Sequence, residues 1–328
     1  MCNLGILLTS PQENRLLSCD QLGRWGKLID ISTEIQARAA LFEHLSDLLL
    51  LSPDGNLTSS QIKSFEFSGK KITVQQQRGI NKPQGFEGAL TITTIFTPYG
   101  QEPPYADYEG EDGYHRYKYE GKDPSTYTNK SLRFCMEHNL PLVYFVGVRQ
   151  GVYNPIYPTY IIGEDVERHE FIIAFNPLEV GKSRESLTPP EKKYILQETR
   201  RRVHQPIFRE RVLHAYADAC TICNFRHREL LDAAHIIEDS KPHGEPIVEN
   251  GLALCKMHHA AYDKKYLSIR PDYKVVVSEK IMVEIDGPML KHGLQEMNGR
   301  TITLPRQKSS HPDPQRLQER HEEFLLAN

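Results

Sequence analysis

Four residues in two short pairs carry the clearest chemistry in this chain. Cys220 and Cys223 form a C-x-x-C, and further along Cys255 and His258 form a C-x-x-H. Two such knuckles present four soft or borderline donors, the set that holds a structural zinc ion in a tetrahedron. A redox dithiol is the competing reading of a C-x-x-C, but it belongs beside a βαβ pattern and has no use for a second knuckle. Zn2+ is therefore the expected structural cofactor. Cys2, Cys19 and Cys135 stand apart from the cluster and read as ordinary thiols.

A second constellation lies inside that frame: His235, Asn250, His259 and Asp263. The run "LLDAAHII" reads as a short buried strand with His235 near its end. The run "NGLALCKMHHAAYDKK" reads as a helix opening after Asn250 and Gly251. On such a helix His259 and Asp263, four residues apart, share one face. A strand-borne His opposite a helix-borne His/Asp pair, with an Asn between them, resembles the HNH endonucleases, whose ββα-metal site hydrolyses phosphodiesters. The resemblance spans about residues 207 to 278, and within it "AAHI", "NGLALC" and "HHAAYD" match the form of restriction-type HNH proteins.

That resemblance implies a role for each residue. His235 would be the general base that activates water, and Asn250 would brace the loop. His259 and Asp263 would hold a catalytic divalent metal, Mg2+ or Mn2+. Neutral imidazole suits proton abstraction near pH 7, and a hard cation stabilises the phosphorane and the leaving oxygen. The chain departs from the pattern at Ala234, where many HNH enzymes carry an Asp or His as a metal ligand. Strand parity puts Asp232 on the same side as residue 234, so it is the candidate substitute, acting through water. The bland alternative is a zinc-stabilised module that binds DNA without cutting it. His214, His227 and His243 have no such context and read as surface residues.

The elements that must position these groups are read from the rest of the chain. At 328 residues it accommodates two or three domains, and 39% hydrophobic and 25% charged residues are the composition of a globular protein. The start, "MCNLGILLTSPQENR", lacks the basic region and long apolar run of a signal peptide, and no segment approaches a membrane span. With a zinc-like cysteine pattern, the expected compartment is a reducing cytoplasm. The net charge of −3 does not announce a nucleic-acid binder. Charge is unevenly placed, however: residues 192 to 228 hold nine Lys/Arg against three Asp/Glu. Beside a phosphodiesterase site such a run is suited to gripping phosphates, whereas "QEPPYADYEGED" is too acidic to face a DNA backbone.

The expected fold class is α+β and multidomain. Residues 1–88 form a small N-terminal α/β region, 89–180 a β-rich DNA-reading domain, 181–204 a linker and basic helix, and 205–328 the zinc-braced ββα-metal nuclease domain. In the first region "ISTEIQARAALFEHLSDLLLLS" predicts an amphipathic helix. Its apolar side holds Ile35, Ala39, Phe42, Leu45 and Leu49, and Thr33 with Gln36 makes a capping box. A short helix is expected from Thr58, and "KKITVQQQ" reads as a strand. In the second region "ALTITTIF", "PLVYFVGV", "YPTYIIG" and "EFIIAF" read as strands of a curved sheet. One helix near "NKSLRFCMEHN" is expected to be capped by Asn129. Thr188 and Pro189 then open the basic helix.

HNH modules have little sequence preference of their own, so the middle domain is expected to choose the target. Its segments resemble the middle region of restriction-type HNH proteins that read modified DNA. Two reader families compete: the sulfur-binding domain of phosphorothioate-dependent endonucleases, and the SRA domain, which flips a methylated cytosine into a pocket. The order of segments favours the first. His115-Arg116 and Tyr157-Pro158 look like its paired cationic and apolar elements. Sulfur is larger and less well hydrated than oxygen, so a Tyr/Pro wall gains by burying it while Arg116 neutralises the charge. Tyr114, Tyr117 and Tyr119 have a simpler reading, as alternate residues of a half-buried strand. The expected partner is double-stranded DNA carrying a backbone or base modification. A site with one metal and one base cuts one strand, so double-strand cleavage needs a homodimer or two binding events, and a homodimer is the expected partner state.

Overall fold

A computed structural model describes residues 29–76, 79–97, 108–181, 187–285 and 287–328. Cys2, Cys19, the chain start and most of "QEPPYADYEGED" lie outside those residues. The protein is a mixture of helix and sheet. Helix α1 (Ile31–Leu50) leads into a short strand β1 (Leu57–Thr58), a turn of helix α2 (Ser59–Ile62), a hairpin of β2 (Glu66–Phe67) and β3 (Lys70–Lys71), and then β4 (Ile80–Asn81) and β5 (Thr91–Thr94). After β6 (Tyr108–Glu109) and β7 (His115–Lys118) come α3 (Tyr127–Glu137), β8 (Leu142–Arg149), β9 (Val152–Asp165) and β10 (Glu170–Ala174). Eight of these strands form one sheet in the order β4-β5-β8-β9-β10-β7-β6, with β1 pairing on β9. Only β5 and β8 run parallel among the described ladders of this sheet, and α3 lies in the connection between them.

The middle strand β8 reads as an unbroken apolar run, LVYFVGV, because both of its faces are covered. Tyr144 and Val146 look toward Leu132 and Cys135 of α3. Val143 and Phe145, of the opposite parity, look toward Ala37, Leu41 and Leu45 of α1 and toward Leu57, Ile62 and Phe65. The packing therefore does not divide at residue 88. The N-terminal region supplies one outer layer and two strands of the same sheet, and it shares that sheet's core.

Three local expectations are corrected, two in α1 and one in α3. The buried side of α1 is Glu34, Ala37, Arg38, Leu41 and Leu45, while Ile35 is half exposed. An apolar pattern cannot anticipate this, because the face is built around a buried ion pair. Arg38 bonds Glu34 at 3.1 Å and donates to the Ala89 and Pro141 carbonyls at 2.8 and 2.9 Å. Asp30, not Thr33, caps this helix, and Thr126, not Asn129, caps α3. Asn129 instead bridges the preceding loop, accepting from Glu120 N–H and donating to the Glu120 and Asp123 carbonyls.

Helix α4 (Pro189–Thr199) opens with the Thr188 capping box and runs through a π turn at Arg200–His204 into α5 (Gln205–Ala215). Pro206 lacks the N–H that a regular helix would use at that point, and a wider turn accommodates the loss. This stretch is a bridge. Ile195 of α4 packs with Tyr114 and Ile172 of the sheet, while Phe208, Val212 and Leu213 of α5 enter the C-terminal core. That core is built on β11 (Leu231–His235), β12 (Gly251–Cys255), α6 (Lys256–Asp263), and the hairpin of β13 (Leu267–Ile269) and β14 (Val275–Val277). Short helices α7 (Glu279–Met282) and α8 (Pro288–Gly293) follow, and α9 (Pro314–Ala327) closes the chain, burying Leu317.

One buried carboxylate ties the two halves together. Glu210 of α5, with 1% of its side chain exposed, meets Arg149 of β8 at 2.9 Å, Arg209 at 3.5 Å, and Arg228. Asn56 donates to it from the N-terminal region at 3.3 Å. Removing this charge takes the shared carboxylate from three guanidinium groups, of which Arg149 keeps Asp54 at 3.7 Å and Arg228 keeps Asp218. Glu210→Ala is expected to cost about 3 kcal/mol, the lower end for a broken buried pair, since the arginines keep partial solvent contact. Denaturant unfolding measures it, and a loss under about 0.5 kcal/mol would show that the network holds nothing together.

Candidate active site

The strand–strand–helix unit that carries the site is set by one antiparallel pairing. Leu231–His235 pairs with Gly251–Cys255, which places His235 opposite Gly251. "NGLALC" is therefore strand up to Cys255, not the start of a helix, and α6 begins only at Lys256. A short apolar run carries no helix period, and here the ladder to β11 decides its state.

Gly251 also permits a close crossing. A Cβ there would lie 2.3 Å from Val212 and 3.0 Å from Phe208 of α5, so only glycine lets the helix lie against the strand. That approach matters for the base, because the Phe208 ring stacks on His235 with centroids 4.0 Å apart. Phe208 was not singled out from the sequence. An aromatic in the helix before an HNH-like strand is the signal that would have found it.

His235 is half-buried, and its Nε2 is enclosed with no hydrogen-bond partner among the described residues. Burial pushes its pKa below the ordinary imidazole value, opposed in part by the Asp239 and Asp263 carboxylates. Asn250, fully buried, holds the loop after the base from both sides. It accepts from Ile237 N–H at 2.9 Å and donates to the Ile237 and Glu245 carbonyls at 2.9 and 3.1 Å. His259 and Asp263 are adjacent, with His259 Nε2 3.3 Å from Asp263 Oδ2. At the other edge of the ring, His259 Nδ1 lies 3.1 Å from Asp232 Oδ2. His235 and Asp263 open onto a cleft of about 850 Å³ whose lining includes Lys193, Arg200 and Arg201 from α4 and the π turn. His214, His227 and His243 are exposed.

Cys220, Cys223, Cys255 and His258 come together beside this unit with their donor atoms within 4.8 Å of one another. The first knuckle is a tight turn: Asn224 N–H bonds the Cys220 carbonyl, and Thr221 N–H bonds Ala253 of β12. His258 turns Nδ1 toward Cys220 and Cys255, at 3.5 and 3.2 Å, and its Nε2 donates to the Gly293 carbonyl at 2.8 Å. An imidazole whose second nitrogen is held by a carbonyl is the usual posture of a metal-ligating histidine. Three thiols and one oriented imidazole fit a tetrahedral metal ion.

The middle-domain residues are placed otherwise than expected. His115 is buried against Tyr144 and Phe175, and burial pushes its pKa down to about 3. Arg116 is held by both oxygens of Asp112 at 2.8 Å and lies 3.6 Å from Glu170, so its charge is already neutralised. Tyr157 stacks on Phe42 of α1 and bonds Ser46 at 3.0 Å, and Pro158 follows through a cis peptide. His115 sits on the Tyr144 side of the sheet and Tyr157 on the α1 side. The four residues therefore do not share a pocket. Sequence proximity to basic and aromatic neighbours cannot report which face of a strand each residue takes.

Residues 220–270 match the family described as HNH endonuclease, so the chain carries an HNH endonuclease domain at the place where β11, β12 and α6 build the site. Among solved structures the chain is similar to "Modification dependent TagI restriction endonuclease", at 14% identity and a TM-score of 0.28, over 81% of this chain and 90% of that one. It is also similar to "Structure of the Type IV phosphorothioation-dependent restriction endonuclease ScoMcrA", at 16% identity and a TM-score of 0.22, over 58% of this chain and 51% of that one. Both likenesses are loose, and the assignment rests on the family match and the site. A comparison with curated proteins gives no match. No helix among the described residues is long and apolar enough to cross a membrane.

Proposed function

We propose that this protein is a DNA endonuclease of the restriction type, in which the HNH unit cuts and the eight-stranded sheet domain selects modified duplexes. The observation that carries the nuclease half is the Nε2 of His235, without a hydrogen-bond partner among the described residues, on a ring that lines one cleft together with Asp263 and with Lys193, Arg200 and Arg201. His235 takes a proton from water, the resulting hydroxide oxygen bonds to phosphorus, and the P–O bond to the leaving oxygen breaks. Asn250 keeps the loop beyond the base in register, and Phe208 keeps the ring from turning. A divalent cation, Mg2+ or Mn2+, held by His259 and Asp263 would supply charge neutralisation for the phosphorane and the departing oxygen. Cys220, Cys223, Cys255 and His258 would hold Zn2+ as a brace.

Support for the selecting half is architectural. The α4–α5 bridge packs on the sheet at one end and under the base at the other, so binding at the sheet has a physical route to the cleft. A single such site serves one strand, and cleavage of both calls for two copies of the chain. With Arg116 already paired with Asp112, and His115 and Tyr157 on opposite sides of the sheet, those residues do not form one phosphorothioate pocket, and a reader of 5-methylcytosine stands beside it as the second reading. Matched plasmids bearing phosphorothioate, 5-methylcytosine or neither, incubated with the protein and Mg2+ or Mn2+, test the proposal. Cleavage confined to one modified plasmid is expected and names the modification. Equal cleavage of all three would remove the selecting half, and no cleavage of any would leave only a DNA-binding module.

A further inference from the structure

We propose that Asp232 is a positioning residue behind the catalytic metal and not a replacement for the ligand missing at Ala234: it accepts the Nδ1 proton of His259 and thereby aims Nε2 at the metal beside Asp263. The inference rests on the nuclease reading above. Its ground is that the two carboxylates address opposite edges of one imidazole. Asp232 Oδ2 faces Nδ1 at 3.1 Å, and Asp263 Oδ2 faces Nε2 at 3.3 Å. The lone pairs of the two nitrogens diverge, so a single cation bonded to His259 can share it with only one of these acids. Among the described residues the only group of three or more such side chains with donor atoms within 4.8 Å of one another is the cysteine/histidine quartet. Asp232, His259 and Asp263 thus do not converge on one point.

Which acid sides with the metal is decided by what surrounds each. Asp263 is more than half exposed and lines the cleft with His235, where a scissile phosphate has access. Asp232 is one-fifth exposed and does not line that cleft. Both of its oxygens are instead occupied by Lys256 Nζ at 2.7 Å. A carboxylate already paired with an ammonium is a weak first ligand for a dication but a good acceptor for an imidazole N–H. A ligating histidine whose other ring nitrogen donates to a carboxylate has a fixed tautomer and a more basic donor atom. Lys256 in turn keeps Asp232 from swinging toward the cleft. The chain thereby uses the position two residues before Ala234 to orient the ligand that follows in α6.

The test reads the ring nitrogens directly in the full chain with its zinc site loaded. Imidazole 15N spectra of histidine-labelled protein are recorded at a pH where His259 is neutral. Nδ1–H is the expected tautomer in wild type and in Asp232→Asn, whose amide oxygen still accepts. Asp232→Ala is expected to lose that preference. Titration with Mn2+ should broaden the Nε2 signal first. Affinity for Mn2+ should fall about 10- to 100-fold in Asp232→Ala and be largely rescued in Asp232→Asn, whereas Asp263→Ala should abolish the effect on Nε2. A wild-type Nε2–H tautomer, or Mn2+ acting at Nδ1 with Asp232→Asn as damaging as Asp232→Ala, would overturn the proposal. An Nδ1–H tautomer with no Mn2+ effect at either nitrogen would instead overturn the metal site of the nuclease reading, leaving the hydrogen bond in place.

Discussion

His235→Ala is expected to lower the rate of DNA cleavage by about 10²- to 10⁴-fold, the span that a positioned general base contributes, while DNA binding stays within about twofold. The asymmetry follows from where the ring sits. Its Nε2 has no hydrogen-bond partner among the described residues, so truncation there leaves no orphaned bond, and the ring stacks on Phe208 of the helix. The cationic side chains that line the cleft are untouched by the substitution and remain. A pH profile adds a second check. Burial lowers the His235 pKa, so the neutral, proton-accepting form persists below the ordinary imidazole value of about 6.5. Cleavage should therefore hold on the acidic side of that value and fall only as pH drops through the lowered pKa. Phe208→Ala opens the ring to water and should move this acidic limb upward. Wild-type cleavage by His235→Ala, measured as single-turnover nicking of plasmid, would remove the residue from the chemistry.

Loss of the cysteine/histidine metal is expected to unfold the nuclease unit. Metal analysis of purified protein should give one zinc per chain. Chelation, Cys220→Ser or Cys255→Ser should abolish its cooperative thermal transition and leave insoluble chain. A structural zinc site supplies an apparent binding free energy of about 10 kcal/mol or more, as large as the whole stability of a typical domain, about 5–15 kcal/mol. The brace is placed where that energy counts. Cys255 ends β12, His258 lies in the first turns of α6, and the knuckle at Cys220–Cys223 is tied to Ala253 of the same strand. His259 follows His258 directly, so losing the metal releases the helix that carries His259 and Asp263. Far-UV circular dichroism of the apo and loaded protein reads the outcome. Soluble, fully folded protein without bound metal would show that the quartet is not a folding device.

Much of this was written locally in the chain. The C-x-x-C and C-x-x-H pairs, the strand of His235, the i, i+4 relation of His259 and Asp263, and the Thr188 start of α4 depend on spacing over a few residues. Spacing of that kind survives without knowledge of the rest of the fold. The β8, β9 and β10 segments were legible for a similar reason: an apolar run between turn signals has few other uses. Tertiary structure alone decided the remainder. Gly251–Cys255 is strand because β11 lies beside it, and α1 buries Glu34 and Arg38 because Ala89 and Pro141 present carbonyls to that pair. His115 and Arg116 are spent inside the sheet domain because Tyr144 and Glu170 reach them from distant strands, beside the local Asp112 pair. Phe208 became part of the site, and Asp232 came to face the rear of His259, through contacts between segments more than 20 residues apart. The chemical identity of a group is set by its own residue and near neighbours. Whether its charge is free, its face is buried and its lone pair is aimed is set by what packs against it, and only the folded chain brings those partners together.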